Sequence, residues 1–174
     1  MHRFLNATYK AAGMFSAFLI LAICLLISAQ IVLNGMGRLM PGLLPSTIPS
    51  YADFAGFMLA GATFLAMAYT LRSGGHIRVN LVVQNLSPRM TLIAEFLTLA
   101  VASAFVGYAL FFSVALMLES LHYSDVSNGI IPVPLWLPQS AMTFGIGLLL
   151  VALLHTLVDL ITTGTSVLNT PDEV

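Results

Sequence analysis

The groups that could bind or react are scarce in this chain: six Lys and Arg, seven Asp and Glu, four His and one Cys among 174 residues. Three of the six cations, Arg72, Arg78 and Arg89, fall with His76 inside one stretch, LRSGGHIRVNLVVQNLSPR, residues 71–89. Guanidinium groups gathered in this way suit the carboxylates of a partner chain or the phosphates of lipid headgroups. Redox chemistry has less to work with. Haem in a helical bundle needs facing histidines, but His76 and His122 lie in different connecting segments and only His155 is within an apolar run. Cys24, the single cysteine, excludes an internal disulfide, a CxxC pair and a thiolate cluster. It reads as an inert buried thiol in the middle of an apolar run. There is no nucleophile–base set, no phosphate-cradling glycine loop and no metal-ligand spacing. The sequence therefore predicts no enzyme, no cofactor and no metal, and its net charge of −1 leaves no basic patch for nucleic acid.

Carboxylates inside a membrane are functional candidates by default. Here Asp53, Glu95, Glu119 and Asp159 all fall within about two turns of the end of an apolar run. They read as helix-end charges open to water or headgroups, or as partners for cations on a neighbouring subunit. Asp53 and Glu95, near expected helix starts, also complement the helix dipole.

The elements that must position these groups are membrane spans. The chain is 59% hydrophobic with a mean hydropathy of +0.97, too apolar to clothe a water-soluble core. A helix crosses the hydrocarbon layer with about 20 apolar residues, and four segments qualify: residues 11–37, 51–71, 91–118 and 135–161. The first is too long for a signal-peptide core and has no small-residue cleavage site after it, so it reads as retained. Ser87 and Pro88 make a suitable start for the third. The expectation is an all-α integral membrane protein, one domain over residues 1–174, with a disordered tail over about 163–174.

Cytoplasmic segments keep the Lys and Arg. Arg3 and Lys10 precede the first span, and Arg72, Arg78 and Arg89 follow the second; only Arg38 lies on the other side. That asymmetry predicts both termini in the cytoplasm. Gly74 and Gly75 can end the second helix. Beyond them Val79, Val82, Val83 and Leu86 recur at helical spacing, which predicts a short interfacial helix over about 77–86, resting on lipid or on protein. The opposite loops are Pro-rich: RLMPGLLPSTIPS reads as a rigid extended connection. HYSDVSNGIIPVPLWLP has a turn at Ser127, Asn128 and Gly129, with Trp136 at the interface. Small residues align at Ala52, Gly56 and Ala60, at Ser103 and Gly107, and at Ala141 and Gly145, spacing that lets helices approach closely. Broken helices and internal repeats, the usual equipment of a transporter, are missing, which points to an accessory or scaffold subunit.

AYTLRSGGHIRVNLVVQNLSPR resembles the signature of the small membrane subunit of tripartite ATP-independent periplasmic (TRAP) transporters, matching it at Arg72, His76, Ile77, Arg78 and Val79. Asn80 stands where that family usually has aspartate, and Asp53 alone stands where paired acids are common. NGMGRL, with Asn34 and Arg38, resembles the end of the family's first span, and IPVPLWLPQSAMTFGIG the start of its fourth.

The resemblance implies a small, non-catalytic scaffold in a sodium-driven symporter of the bacterial or archaeal inner membrane. A periplasmic binding protein would deliver an organic acid, such as a C4-dicarboxylate, keto acid or sialic acid. A large membrane subunit would carry it inward by an elevator-like motion. The expected partners are that large subunit at about one to one, the binding protein transiently, and the lipid bilayer. Candidates for the partner interface or for lipid headgroups are Arg38, Asp53, Arg72, His76, Arg78, Val79, Val82, Val83 and Leu86; Asp125, Asn128 and Trp136 are candidates for touching the binding protein. The competing expectation is a self-sufficient homo-oligomeric channel or transporter.

Overall fold

The computed structural model describes residues 2–40, 45–74 and 87–163. They form four helices: α1 (His2–Leu39), α2 (Tyr51–Arg72), α3 (Pro88–Tyr123) and α4 (Trp136–Thr163). Each contains an apolar window long enough to cross a bilayer. In lipid the backbone has no water to bond to, so these apolar segments satisfy their own amides and carbonyls as helices. Among the described residues there is no strand, only an isolated bridge between Val126 and Pro134. The protein is an all-α integral membrane protein with four transmembrane helices.

Local chemistry sets the helix ends. After α2, the Ser73 amide donates to the Tyr69 carbonyl at 2.9 Å, and Gly74 takes the left-handed conformation with φ 72°, which glycine adopts at low cost. Before α3, Ser87 is extended, but its hydroxyl caps nothing. Pro88 and the bond from the Thr91 amide to the Ser87 carbonyl, 3.0 Å, start that helix instead. The helices outrun the spans expected from hydropathy. At 1.5 Å per residue, α2 with 22 residues is ~33 Å long, whereas α1 with 38 is ~57 Å and α3 with 36 is ~54 Å.

In space the helices stand in the order α1, α2, α4, α3, each packed on the next. This is a curved row with little interior: 39% of the apolar window of α4 and 28% of that of α2 are buried, against 11% for α1 and 6% for α3. One small core joins Tyr9, Ala68 and Ala152 across α1, α2 and α4; another joins Leu99 of α3 to Leu153 and Leu160 of α4.

The tightest seam is between α2 and α4. A Cβ on Gly145 would come within 2.5 Å of the Phe64 carbonyl carbon and 2.6 Å of its oxygen. Backbone cannot rotate away, so only glycine permits this approach. Gly61 lies close to Leu19 and Ala141, whereas Gly56 and Gly107 face open space. Gly145→Ala should therefore cost about 1–3 kcal/mol by overpacking, measured as a loss of thermal stability in detergent, while Gly56→Ala should leave stability unchanged or raise it slightly. Equal effects of the two substitutions would show that the α2–α4 seam is looser than described.

Candidate functional site

α2 and α4 run parallel, so their last turns meet at the end of the row where α1 begins. There the Arg72 guanidinium donates through Nη1 to Asp159 Oδ2 at 3.0 Å and to the Thr156 hydroxyl at 3.2 Å. Thr156, 1% exposed, passes its own hydrogen to the Ala152 carbonyl at 2.9 Å. His155 Nε2 lies 3.8 Å from the same Asp159 oxygen. Tyr9 of α1 inserts beside them, with its ring centroid 6.4 Å from that of His155. It is 1% exposed, and its hydroxyl has no hydrogen-bond partner among the described residues. The Arg72 and Asp159 side chains are 20% and 17% exposed. In surroundings this apolar either charge alone would be costly, and pairing lets both remain.

At the other end the loops are stitched to the helices and to each other. Gln30 of α1, 4% exposed, accepts the Ile48 amide hydrogen at 2.7 Å and donates to the Thr47 hydroxyl at 3.1 Å. Ser50, in the left-handed conformation before α2, accepts the Ile131 amide hydrogen at 2.9 Å. Gly129 lies directly against the Asp53 carboxylate, with no room for a Cβ. The second loop closes on itself through Ser127 N–H to the Val133 carbonyl and Leu135 N–H to the Asp125 carbonyl, both 2.9 Å. Asp125 and Asn128 are exposed on it, and Trp136, 36% exposed, opens α4.

Between these ends an apolar groove runs over α2, with α1 and α4 as its walls. It comprises two cavities of about 570 and 660 Å³ that meet at Phe15 and Ala141. No charged residue lines either one. From Leu26 to Thr8 along α1 the groove extends ~27 Å, close to the ~30 Å hydrocarbon thickness of a bilayer. Polar groups at mid-depth are turned onto backbone: Ser16 donates to the Ala62 carbonyl at 2.6 Å and Thr143 to that of Ser113 at 3.3 Å.

Of the residues singled out from sequence, Arg72 enters the ion-pair cluster and Asp53 the loop contact, while Arg38 is exposed in the last turn of α1. His76, Arg78, Val79, Val82, Val83 and Leu86, with the expected helix over 77–86, lie outside the described residues, as does the tail beyond Thr163. Two of the carboxylates diverge from expectation, whereas Glu119 is exposed near the end of α3 as expected. Asp159 is tied to Arg72 of its own chain, and Glu95 is 8% exposed despite its place near a helix start. Tyr9, Gln30, His155 and Thr156 were missed. The available signal was positional: Arg72 and Asp159 close two spans of the same direction, each within a turn of the same end.

Replacing Arg72 by Met, or Asp159 by Leu, strands the other charge and should destabilise the chain by about 1–3 kcal/mol. The double replacement should recover most of that loss. Thermal unfolding of the three variants in one detergent measures the coupling, and simple additivity would remove the ion pair from the account.

A family model described as the DctQ component of tripartite ATP-independent periplasmic transporters matches residues 23–163, about four fifths of the chain. No curated protein and no solved structure matches it. The matched segment holds α2, α3, α4 and the second half of α1 from residue 23, and so takes in the ion pair, the stitched loops and the α2–α4 seam. The chain belongs to the DctQ-component family of tripartite ATP-independent periplasmic transporters.

Proposed function

We propose that this subunit is a fixed membrane wall on which the large subunit of a TRAP transporter is mounted, with no substrate path of its own. The observation that carries this reading is the row itself. Four helices side by side, with 6–39% of their apolar windows buried, turn most of their surface outward rather than around a central chamber. A transporter that moves a carboxylate needs polar groups around such a chamber. The mid-depth hydroxyls here are spent on backbone carbonyls.

The apolar groove over α2 is the mounting surface. Its length matches the hydrocarbon layer, and small residues such as Gly61 and Ala141 let a helix of the large subunit settle close to the floor. By the distribution of Lys and Arg, the Arg72 end faces the cytoplasm, with both termini there, and the stitched loops face the periplasm. The loop residues Asp125, Asn128 and Trp136 meet the binding protein when it delivers its cargo. The family resemblance extends this to sodium-coupled uptake of an organic acid, with the chemistry of selection residing in the other two components. The scaffold's contribution is mechanical: it broadens the part of the assembly that stays still while the carrier domain moves.

Filling the groove tests the mounting claim. Ala141→Trp should abolish co-purification of the large subunit in mild detergent and reduce uptake, while the variant chain remains folded by circular dichroism. Undiminished recovery of a one-to-one complex would place the interface elsewhere. Uptake of solute by liposomes holding this chain alone would instead support the homo-oligomeric channel or transporter. Arg72→Ala combined with Arg78→Ala should lower complex yield if the cationic segment also docks.

A further inference from the structure

A second opening lies at the Arg72 end of the α1–α2 seam, on the flank opposite the groove. At 3.6 residues per turn, Asn6 and Lys10 point away from Thr8, Ala11 and Phe15, with the α2-facing residues Ala12 and Ser16 between the two sets. The cavity holds about 210 Å³ and is lined by Asn6, Tyr9, Lys10, Tyr69, Arg72 and Ser73. Every one of these side chains carries a hydrogen-bonding group, and none is a carboxylate. We propose that this cavity binds the phosphodiester of an anionic phospholipid.

The charge balance favours a monoanion. Asp159 approaches Arg72 from the α4 side and offsets its charge, while Lys10 is exposed and has no carboxylate partner among the described residues. The site is thus left with one uncompensated positive charge. Among the described residues Arg72 uses only Nη1, on Asp159 and Thr156, which leaves Nε and Nη2 as donors. A phosphodiester oxygen pair can accept from that guanidinium and from Lys10 together, with the amide of Asn6 as a neutral donor; the Ser73 hydroxyl already donates to the Thr70 carbonyl at 3.3 Å. Tyr69 forms one wall, held against α1 because its ring covers Gly13, where a Cβ would come within 2.9 Å.

The surroundings separate a lipid from free phosphate. Continuing along α1 on the flank of Lys10, the next residues are Ala17, Leu21 and Cys24, all exposed. They give acyl chains an apolar track directly below the charged cavity, which a free anion could not use. The inference rests on the mounting proposal only in that this flank, rather than the groove, is left to lipid.

The test uses the full chain purified in a neutral detergent, with and without its large subunit. Bound lipids are counted by native mass spectrometry, and unfolding is followed on titration with phosphatidylglycerol, phosphatidylcholine or inorganic phosphate. The expected result is one retained phosphatidylglycerol and a raised unfolding temperature, with phosphatidylcholine weaker and inorganic phosphate inert. Lys10→Gln should weaken phosphatidylglycerol binding about tenfold, the loss of one charge-assisted bond, and Lys10→Arg should restore it. Asn6→Ala, which keeps both charges, should give a smaller loss. Unchanged binding in Lys10→Gln, equal protection by phosphatidylcholine, or equal protection by inorganic phosphate would each overturn the proposal. Lipid retention by the chain alone is read independently of co-purification, so failure of the mounting surface would leave this result intact.

Discussion

The contact between α2 and α4 is the joint from which the remainder of the row hangs. α1 is held mainly by α2, and α3 mainly by α4. At the joint's middle the absent side chain of Gly145 brings two backbones together, and dispersion is the attraction. At its end the Arg72–Asp159 pair adds a directional bond that fixes how far one helix can slide along the other. Hydrophobic burial cannot supply this order in lipid, because an exposed leucine there is already solvated. Shape and the Arg72–Asp159 pair therefore decide which helices become neighbours.

That division explains what could be read from the sequence. Span number and approximate position follow from where charges and prolines stop, since the bilayer imposes a length on any apolar helix. The stop after α2 at Gly74 is equally local. Neighbour order is not. Gly107 and Gly145 look alike as members of small-residue stripes, yet one faces open space and the other meets the Phe64 backbone. Choosing between them requires the complementary surface of a helix that is distant in the chain. Asp159 was misjudged for a related reason: a carboxylate near a helix end suggests solvent, and its partner lies 87 residues away. Of the candidate interface residues, Arg72 lies within the polar cluster, whereas His76 and Arg78 fall outside the described segments. Tyr9 and Lys10 sat in plain view beside the first span, but their importance depends on α2 and α4 arriving next to them.

The two ends of the row are secured by different means. At one, ionised and hydroxyl side chains bond across helices; at the other, loop amides bond to Gln30 and Ser50. Between them the middle of the row is almost entirely hydrocarbon. A structure clamped at both margins and smooth between them suits a surface against which another body is set.

The unequal helix lengths bear on the membrane itself. An upright α2 of ~33 Å fits the hydrocarbon layer, whereas α1 at ~57 Å and α3 at ~54 Å do not unless they lean steeply or project into the aqueous phase. Because α1 and α3 stand at opposite edges, any lean is imposed at both margins at once. Where they lean, the surrounding leaflets adjust their thickness beside those two edges, and lipid composition then acts on how the subunit sits in the bilayer even where no lipid is specifically bound.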